Sequence, residues 1–220
     1  IRIGAGMSKV ERLENGFEAQ AGALLAQFAK ATVAAGFMGL EWAEGIPGSV
    51  GGAVAMNAGA YGGEIAQVLR EAVVIEEGET RRVAVREGDL GYRKSAFCAP
   101  ARIVLAARFA LAADDGGAAG RMHEYNRTRR EKQPLQYPSA GSTFKRPPGH
   151  YAGGLIQQAG LKGMRVGGAQ VSELHAGFLI NAGGATSADV YLLIRLVQER
   201  VFEASGVRLE PEVRLLGEFD

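Results

Sequence analysis

Apolar and polar positions alternate along much of the first half of the chain, the period-2 pattern of half-buried strands. Ile1-Arg2-Ile3 reads as a strand. Lys9 to Leu13 and Phe17 to Ala21 flank Glu14-Asn15-Gly16, whose Asn-Gly pair predicts a hairpin. Leu69 to Ile75 and Arg81 to Val85 form a second predicted pair around Glu76-Glu77-Gly78-Glu79, with Val73, Ile75, Val83 and Val85 alternating with polar or small neighbours. Ile103 to Leu111 is a third strand of the same kind. Between these strands the spacing switches to a helical one: Leu24, Leu25, Phe28, Ala31 and Ala35 predict a helix from Ala23 to Ala35, stopped by Gly36.

After a Gly-rich break at Asp114 to Gly120, a polar helix is predicted from Ala118 to Lys132, carrying Arg121, Arg127, Arg129, Arg130 and Lys132. A second unit begins near Pro134. Pro134, Pro138, Pro147 and Pro148 punctuate a loop that holds Ser139 to Lys145. A short helix at Gly154 to Ala159 and strand-like pieces at Met164 to Ser172 and Phe178 to Asn181 follow. Ser187-Ala188-Asp189 then opens an amphipathic helix carrying Val190, Leu193, Ile194, Val197, Val201 and Phe202 and ending at Gly206. Glu212 to Leu216 is expected to be a closing strand. The class is α+β in two lobes, without an internal repeat.

One stretch breaks both periods. Seven of the nineteen residues from Gly45 to Gly63 are glycine, and none is charged. Flexible linkers are polar and Ser- or Pro-rich, whereas Ile46, Val50, Val54 and Met56 belong inside a fold. With Pro47 and so many glycines the stretch is expected to be irregular backbone, not helix. It is read as a buried cradle whose bare N–H groups form an anion nest for a phosphate-bearing cofactor. Gly4-Ala5-Gly6 lacks the third glycine of a dinucleotide fingerprint and is set aside.

Composition narrows the function classes. Hydrophobic residues make up 47% and charged residues 22%, ordinary for a globular protein. A net charge of +1 argues against a nucleic-acid partner. The single cysteine, Cys98, excludes an internal disulfide framework, fits a reducing compartment and is read as a small buried hydrophobe. No apolar run reaches about 18 residues, so no membrane span is expected, and no secretory leader is recognised. His123, His150 and His175 are too scattered for a metal site.

Three residues put reactive or charged groups in constrained frames. Arg93 sits between Tyr92 and Phe97, Ser142 lies in a Pro-bounded loop, and Glu212 follows Pro211 at the head of an apolar run. Each alone has a plainer reading: a surface arginine, a turn serine, or a carboxylate that needs a partner.

Together the motifs resemble the UDP-N-acetylenolpyruvoylglucosamine reductase family, the MurB flavoenzymes of bacterial peptidoglycan synthesis. The likeness is carried by Gly45-Ile46-Pro47-Gly48, Gly51-Gly52-Ala53, Asn57-Ala58-Gly59-Ala60-Tyr61-Gly62, Tyr92-Arg93-Lys94-Ser95, Ser139 to Pro147, and Leu209 to Arg214. Leu161-Lys162-Gly163 and His175 to Asn181 also fit, in the same order along the chain.

The resemblance implies a flavin-binding domain of the vanillyl-alcohol-oxidase/PCMH type at 1–132 and a smaller α+β substrate-binding domain at 133–220. It implies FAD as cofactor, NADPH as hydride donor and a UDP-sugar enolpyruvyl ether as substrate, in the cytoplasm, with no metal and no obligate protein partner. Gly45, Ile46, Pro47, Gly48, Ser49, Gly51, Gly52, Asn57, Ala58, Gly59 and Tyr61 would contact FAD. Arg93, Ser142 and Glu212 would be catalytic, with Ser142 the proton donor. Tyr92, Lys132, Lys162 and His175 would contact substrate.

The family's further N-terminal flavin phosphate loop has no counterpart here, so the flavin part is expected to be incomplete at that end. Arg146 stands where many relatives have Asn. No aromatic-bearing insertion separates Pro147 from Gly154, as in the shorter subclass without a substrate-covering loop. Another flavin oxidoreductase of the same fold, or a non-catalytic nucleotide-binding fragment, are the other readings of these residues.

Overall fold

The structure is a computed structural model that describes residues 3–99 and 102–218. Ile1 and Arg2 of the expected first strand lie outside the described residues. The chain forms two compact units, one up to Thr128 and one from Arg129.

The first unit is built on five antiparallel strands: β1 (Val10–Leu13), β2 (Gly16–Gln20), β3 (Leu69–Glu76), β4 (Glu79–Ala84) and, from later in the chain, β7 (Arg102–Ala110), in the order β1-β2-β7-β3-β4. A two-strand hairpin, β5 (Leu90–Gly91) and β6 (Lys94–Ser95), lies between β4 and β7 in sequence. Both predicted sheet hairpins form. β1 meets β2 with Leu13 opposite Gly16, and β3 meets β4 with Glu76 opposite Glu79. The second turn places Glu77 and Gly78 at φ 53° and 82°, the pair of positive angles that matches the twist of the strands. Gly16 has a packing reason as well, because a Cβ there would stand 1.9 Å from the carbonyl oxygen of Phe109 on β7. One face of the sheet contributes Phe17, Ala19, Val74, Val104 and Phe109 to the core. On the strands' exposed positions Arg82 bonds Glu71 at 2.8 Å and Glu18 at 3.1 Å.

Helix α1 (Leu25–Ala34) buries Leu25, Phe28, Ala29 and Thr32 and ends before Gly36, at φ 81°. Leu24, expected on its inner face, is half exposed. The glycine stretch corrects the sequence reading: Val50–Met56 is a helix, α2. Ser49 caps it by accepting from the N–H of Gly52, and Val50 and Val54 are fully buried. Burial of those two valines and the cap offset the glycine penalty. Gly51 is required sterically, since its Cβ would lie 2.7 Å from Cβ of Ala21. Gly63 is required likewise, since its Cβ would lie 2.1 Å from the Trp42 ring. A one-turn helix, α3 (Ile65–Val68), and the polar α4 (Ala118–Lys132) are the first unit's further helices longer than a 3₁₀ turn among the described residues.

The second unit has the antiparallel strands β8 (Ser139–Ser142), β9 (Arg165–Val166), β10 (Ala169–Val171) and β11 (Phe178–Asn181), in the order β8-β11-β10-β9. Helices α5 (Ala152–Gln158) and α6 (Ser187–Ser205) supply Ile156, Leu193, Val197 and Val201 to its core. A capping box starts α6: Thr186 Oγ1 accepts from Asp189 N–H, and the Asp189 carboxylate accepts from Thr186 N–H. Asp189 also accepts from Gly168 in the β9–β10 turn, and these backbone bonds hold its carboxyl below the usual range.

Two expectations are corrected here. Met164 to Ser172 is a hairpin with Gly167 at φ 51°, not one strand. Glu212 to Leu216 forms no strand: pairing is limited to a Phe144–Pro211 bridge, and the chain beyond Val213 is exposed. Pro211 has no N–H to donate, and no second row of inward apolar residues follows it. Among the described residues no helix is long and apolar enough to cross a membrane.

Candidate functional site

In the first unit, residues 21–25 and 48–51 are laced together: Gly51 N–H donates to Ala21, Val50 to Ala23 and Leu25 to Gly48. Beside this seam opens a cleft of about 960 Å³. Gly48, Ser49, Gly51 and Gly52 form one lip, and Ala21, Ala23, Phe28, Ala31 and Val104 give it apolar walls. Ser8, Gln27 and Arg102 bring polar groups to it.

The N–H groups of Val50, Gly51 and Gly52 are satisfied inside the chain, so the expected nest of bare donors is corrected. Those of Gly48 and Ser49 have no acceptor among the described residues. At Gly48, at φ 143°, a Cβ would meet nothing within 4 Å, and at Gly52 it would meet only Ser49 Oγ at 3.6 Å. The lip is thus bare backbone facing a partly apolar cleft, and such a cleft fits a flat aromatic cofactor carrying phosphates.

Gly45, Ile46, Pro47, Asn57, Ala58, Gly59 and Tyr61 lie outside that lining. Ile46 and Ala58 pack on the core, and Tyr61 stacks on Tyr125 with centroids 4.7 Å apart. A Cβ on Gly59 would lie 2.8 Å from the carbonyl oxygen of Gly63, so this glycine serves a close backbone approach. Conversely, the cleft uses Gly4 and Ala5, from the motif set aside as a failed fingerprint, as well as Ser8, Gln27, Arg102 and Cys98. Cys98 is exposed, not the buried hydrophobe expected. It follows the buried Phe97 in a short 3₁₀ turn that ends where β7 is about to begin, which puts its thiol at the surface. The glycine density at Gly4 to Gly6 was the only sequence signal for any of these.

Tyr92 and Arg93 are the two turn residues of the β5–β6 hairpin. Arg93 adopts φ 55°, and its guanidinium lies 5.2 Å from the centre of the Tyr92 ring. Tyr92 is half exposed.

In the second unit Ser142 ends β8, opposite Phe178, with its side chain exposed. Its neighbour Thr143 is buried, donates its N–H to Gly177 at 2.9 Å and accepts from the N–H of Glu212 at 2.8 Å. Thr143 Oγ1 accepts from Leu179 N–H at 3.2 Å. Ser142 and the half-buried Glu212, seventy residues apart in sequence, are thereby brought to adjoining backbone positions.

His175 joins the same seam. Its Nδ1 accepts from the N–H of Gly177 at 3.1 Å, which leaves the ring proton on Nε2, and its ring stands edge-on to Phe178 at 4.9 Å. Burial lowers its pKa from the ordinary 6.5, and the positive charge of Lys162 adds to the lowering. Lys162 is half buried, and Lys132 is exposed at the end of α4.

Comparison with known proteins assigns these parts. Residues 133–216 match the UDP-N-acetylenolpyruvoylglucosamine reductase C-terminal domain, and residues 2–84 match an FAD binding domain. The UDP-N-acetylenolpyruvoylglucosamine reductase of Agathobacter rectalis is 52% identical over all of this chain and 74% of its own length. That of Pediococcus pentosaceus is 50% identical over 96% of this chain and 72% of its own. The crystal structure of UDP-N-acetylenolpyruvylglucosamine reductase (MurB) from Thermus caldophilus superposes with a TM-score of 0.81 at 40% identity. That alignment covers 93% of this chain and 74% of that one. The chain belongs to the UDP-N-acetylenolpyruvoylglucosamine reductase family.

Proposed function

We propose that this chain reduces the enolpyruvyl ether of a UDP-sugar to UDP-N-acetylmuramate, with FAD as cofactor and NADPH as hydride donor, in the cytoplasm. FAD supplies the hydride acceptor and donor chemistry that no side chain offers. Residues 1–132 hold the flavin and residues 133–220 the substrate.

The Gly48 to Gly52 lip meets the flavin through bare backbone while the alanines and Phe28 line its apolar side. Ser142 gives a proton to the substrate carbon next to the one that accepts hydride. A hydroxyl is a poor acid, so Arg93 and Glu212 stabilise the charge that develops on the substrate and assist that transfer. Tyr92, Lys132, Lys162 and His175 contact the UDP-sugar, the two ammonium groups being suited to its diphosphate. No nucleic acid, membrane or obligate protein partner is needed.

The observation that carries this reading is the pairing of Ser142 and Glu212 through Thr143, which gives a hydroxyl and a carboxylate a common frame. The test is spectroscopic. The protein purified with FAD is expected to show a flavin spectrum that NADPH bleaches and the enolpyruvyl substrate restores. A protein that binds FAD and is bleached by NADPH, but is not restored by that substrate, would point to another flavin oxidoreductase. One that takes up no FAD would point to a non-catalytic fragment.

A further inference from the structure

Asn57 ends α2 in the left-handed region, at φ 43°, and its side chain is 1% exposed. Its carboxamide bonds three residues in two other segments, the start of α3 and the end of β5. Nδ2 donates to the carbonyl of Gly91 and to Glu64 Oε2, each at 3.1 Å, and Oδ1 accepts from the N–H of Ala66 at 2.9 Å. Both amide donors are therefore engaged within the chain. Gly91 immediately precedes the Tyr92–Arg93 turn. Arg93 holds a conformation that a side chain other than glycine adopts only when its surroundings enforce it.

The opposite end of α2 is the cleft lip, Gly48 to Gly52, and Phe97 and Cys98 just beyond β6 line the same cleft. A seven-residue helix is about 10 Å long. It therefore acts as a short rod with the cleft at one end and the Arg93 turn tied to the other by one side chain.

We infer that Asn57 is a positioning residue that fixes the Arg93 turn relative to the flavin cleft and does not itself contact the flavin. The inference rests on the proposed role of Arg93 in stabilising substrate charge. Two substitutions isolate it. Asn57→Gly keeps the left-handed backbone free of strain and removes all three side-chain bonds. Asn57→Asp keeps the shape but sets oxygens against the Gly91 carbonyl and the Glu64 carboxylate.

Each variant, and Arg93→Ala alone and combined with Asn57→Gly, is purified with FAD. The readouts are FAD dissociation constant, amide hydrogen exchange over residues 88–96, and the two half-reactions by stopped flow. The expected result is FAD affinity within about twofold of the parent and at least about tenfold faster exchange in the hairpin. Reduction by NADPH stays near the parent rate, and re-oxidation by substrate slows by about 10- to 100-fold, as misplacement of about 1 Å does. The double variant is no slower than Arg93→Ala. Weakened FAD binding with unchanged hairpin exchange would make Asn57 a flavin ligand and overturn the inference. Equal slowing of both half-reactions, additive with Arg93→Ala, would overturn it too. If Arg93→Ala leaves re-oxidation untouched, the role given to Arg93 falls, and hairpin exchange separately reports whether Asn57 holds the turn.

Discussion

The backbone N–H of Glu212 donates to the carbonyl oxygen of Thr143 at 2.8 Å, which fixes Glu212 one peptide away from Ser142. Neighbouring Lys145 N–H donates to Glu210 in the same seam, at 2.8 Å. Two short segments from the two ends of the second unit thus share one register, and the hydroxyl and carboxylate proposed for proton transfer are carried on it.

Ser142→Ala is expected to leave flavin reduction by NADPH near the parent rate. Re-oxidation by the enolpyruvyl substrate should slow by roughly 10²- to 10⁴-fold, the range of a lost general acid. Stopped-flow absorbance of each half-reaction checks this. Equal slowing of both would assign Ser142 to structure.

Thr143→Val is expected to destabilise the fold by about 1–3 kcal/mol, because it leaves the N–H of the buried Leu179 without its acceptor. Thr143→Ser keeps that acceptor and should recover most of the loss. Urea midpoints of the two variants decide the matter, and equal midpoints would contradict it.

Adjacent glycines in α2 should respond in opposite ways. Gly51→Ala pushes a methyl into Ala21, at a cost of about 1–3 kcal/mol. Gly52→Ala meets open space and should stabilise the helix by about 0.5 kcal/mol while weakening FAD binding, since its methyl enters the cleft. Thermal melts and FAD titration separate the two effects. Parent-like FAD affinity in Gly52→Ala would remove this lip from the flavin site.

The lowered pKa of His175 makes a pH prediction. Between the lowered value and the ordinary 6.5 the folded chain binds fewer protons at this ring than the unfolded chain does. Stability therefore rises with pH through that window and is lost on acidification through 6.5. Protonation of Nδ1 also removes the acceptor for Gly177. His175→Asn presents an oxygen acceptor that does not titrate, so its Tm should fall less than that of the parent between about pH 7 and pH 5. Parallel falls would exclude His175 as the source.

The two sheet hairpins of the first unit and the amphipathic helices were legible because their residues agree at every level: Gly78 at a positive-φ turn position, Gly36 and Gly206 as helix stops, and Asp189 in the first turn of α6. Helix α2 was not legible, because a Gly-Gly pair opposes local helix formation and is offset by burial of Val50 and Val54, by the Ser49 cap and by the close approach of Gly51 to Ala21. The exposure of Cys98 and the failed final strand depend on neighbours that spacing does not reveal. For the site, Arg93 and Ser142 read singly as a surface arginine and a turn serine, and Glu212 as a carboxylate in need of a partner. Motif order brought them together as candidates, whereas the seam joining Ser142 to Glu212 appears only in the fold. The enclosure of Asn57 by Gly91, Glu64 and Ala66 had no sequence signature, since its three partners are 34, 7 and 9 residues away.

Strand β7 has a consequence for how the chain reaches this state. It pairs with β2 on one side and β3 on the other, so both hairpins wait for the strand that follows them in sequence. Until residues 102–110 arrive, β2 and β3 each present an unpaired inner edge, and during synthesis those edges leave the ribosome first. Closing β2 onto β7 spans more than eighty residues, a long-range contact of the kind that slows folding. Substitutions in β7 should therefore lower soluble yield during synthesis more than they lower the stability of the folded chain.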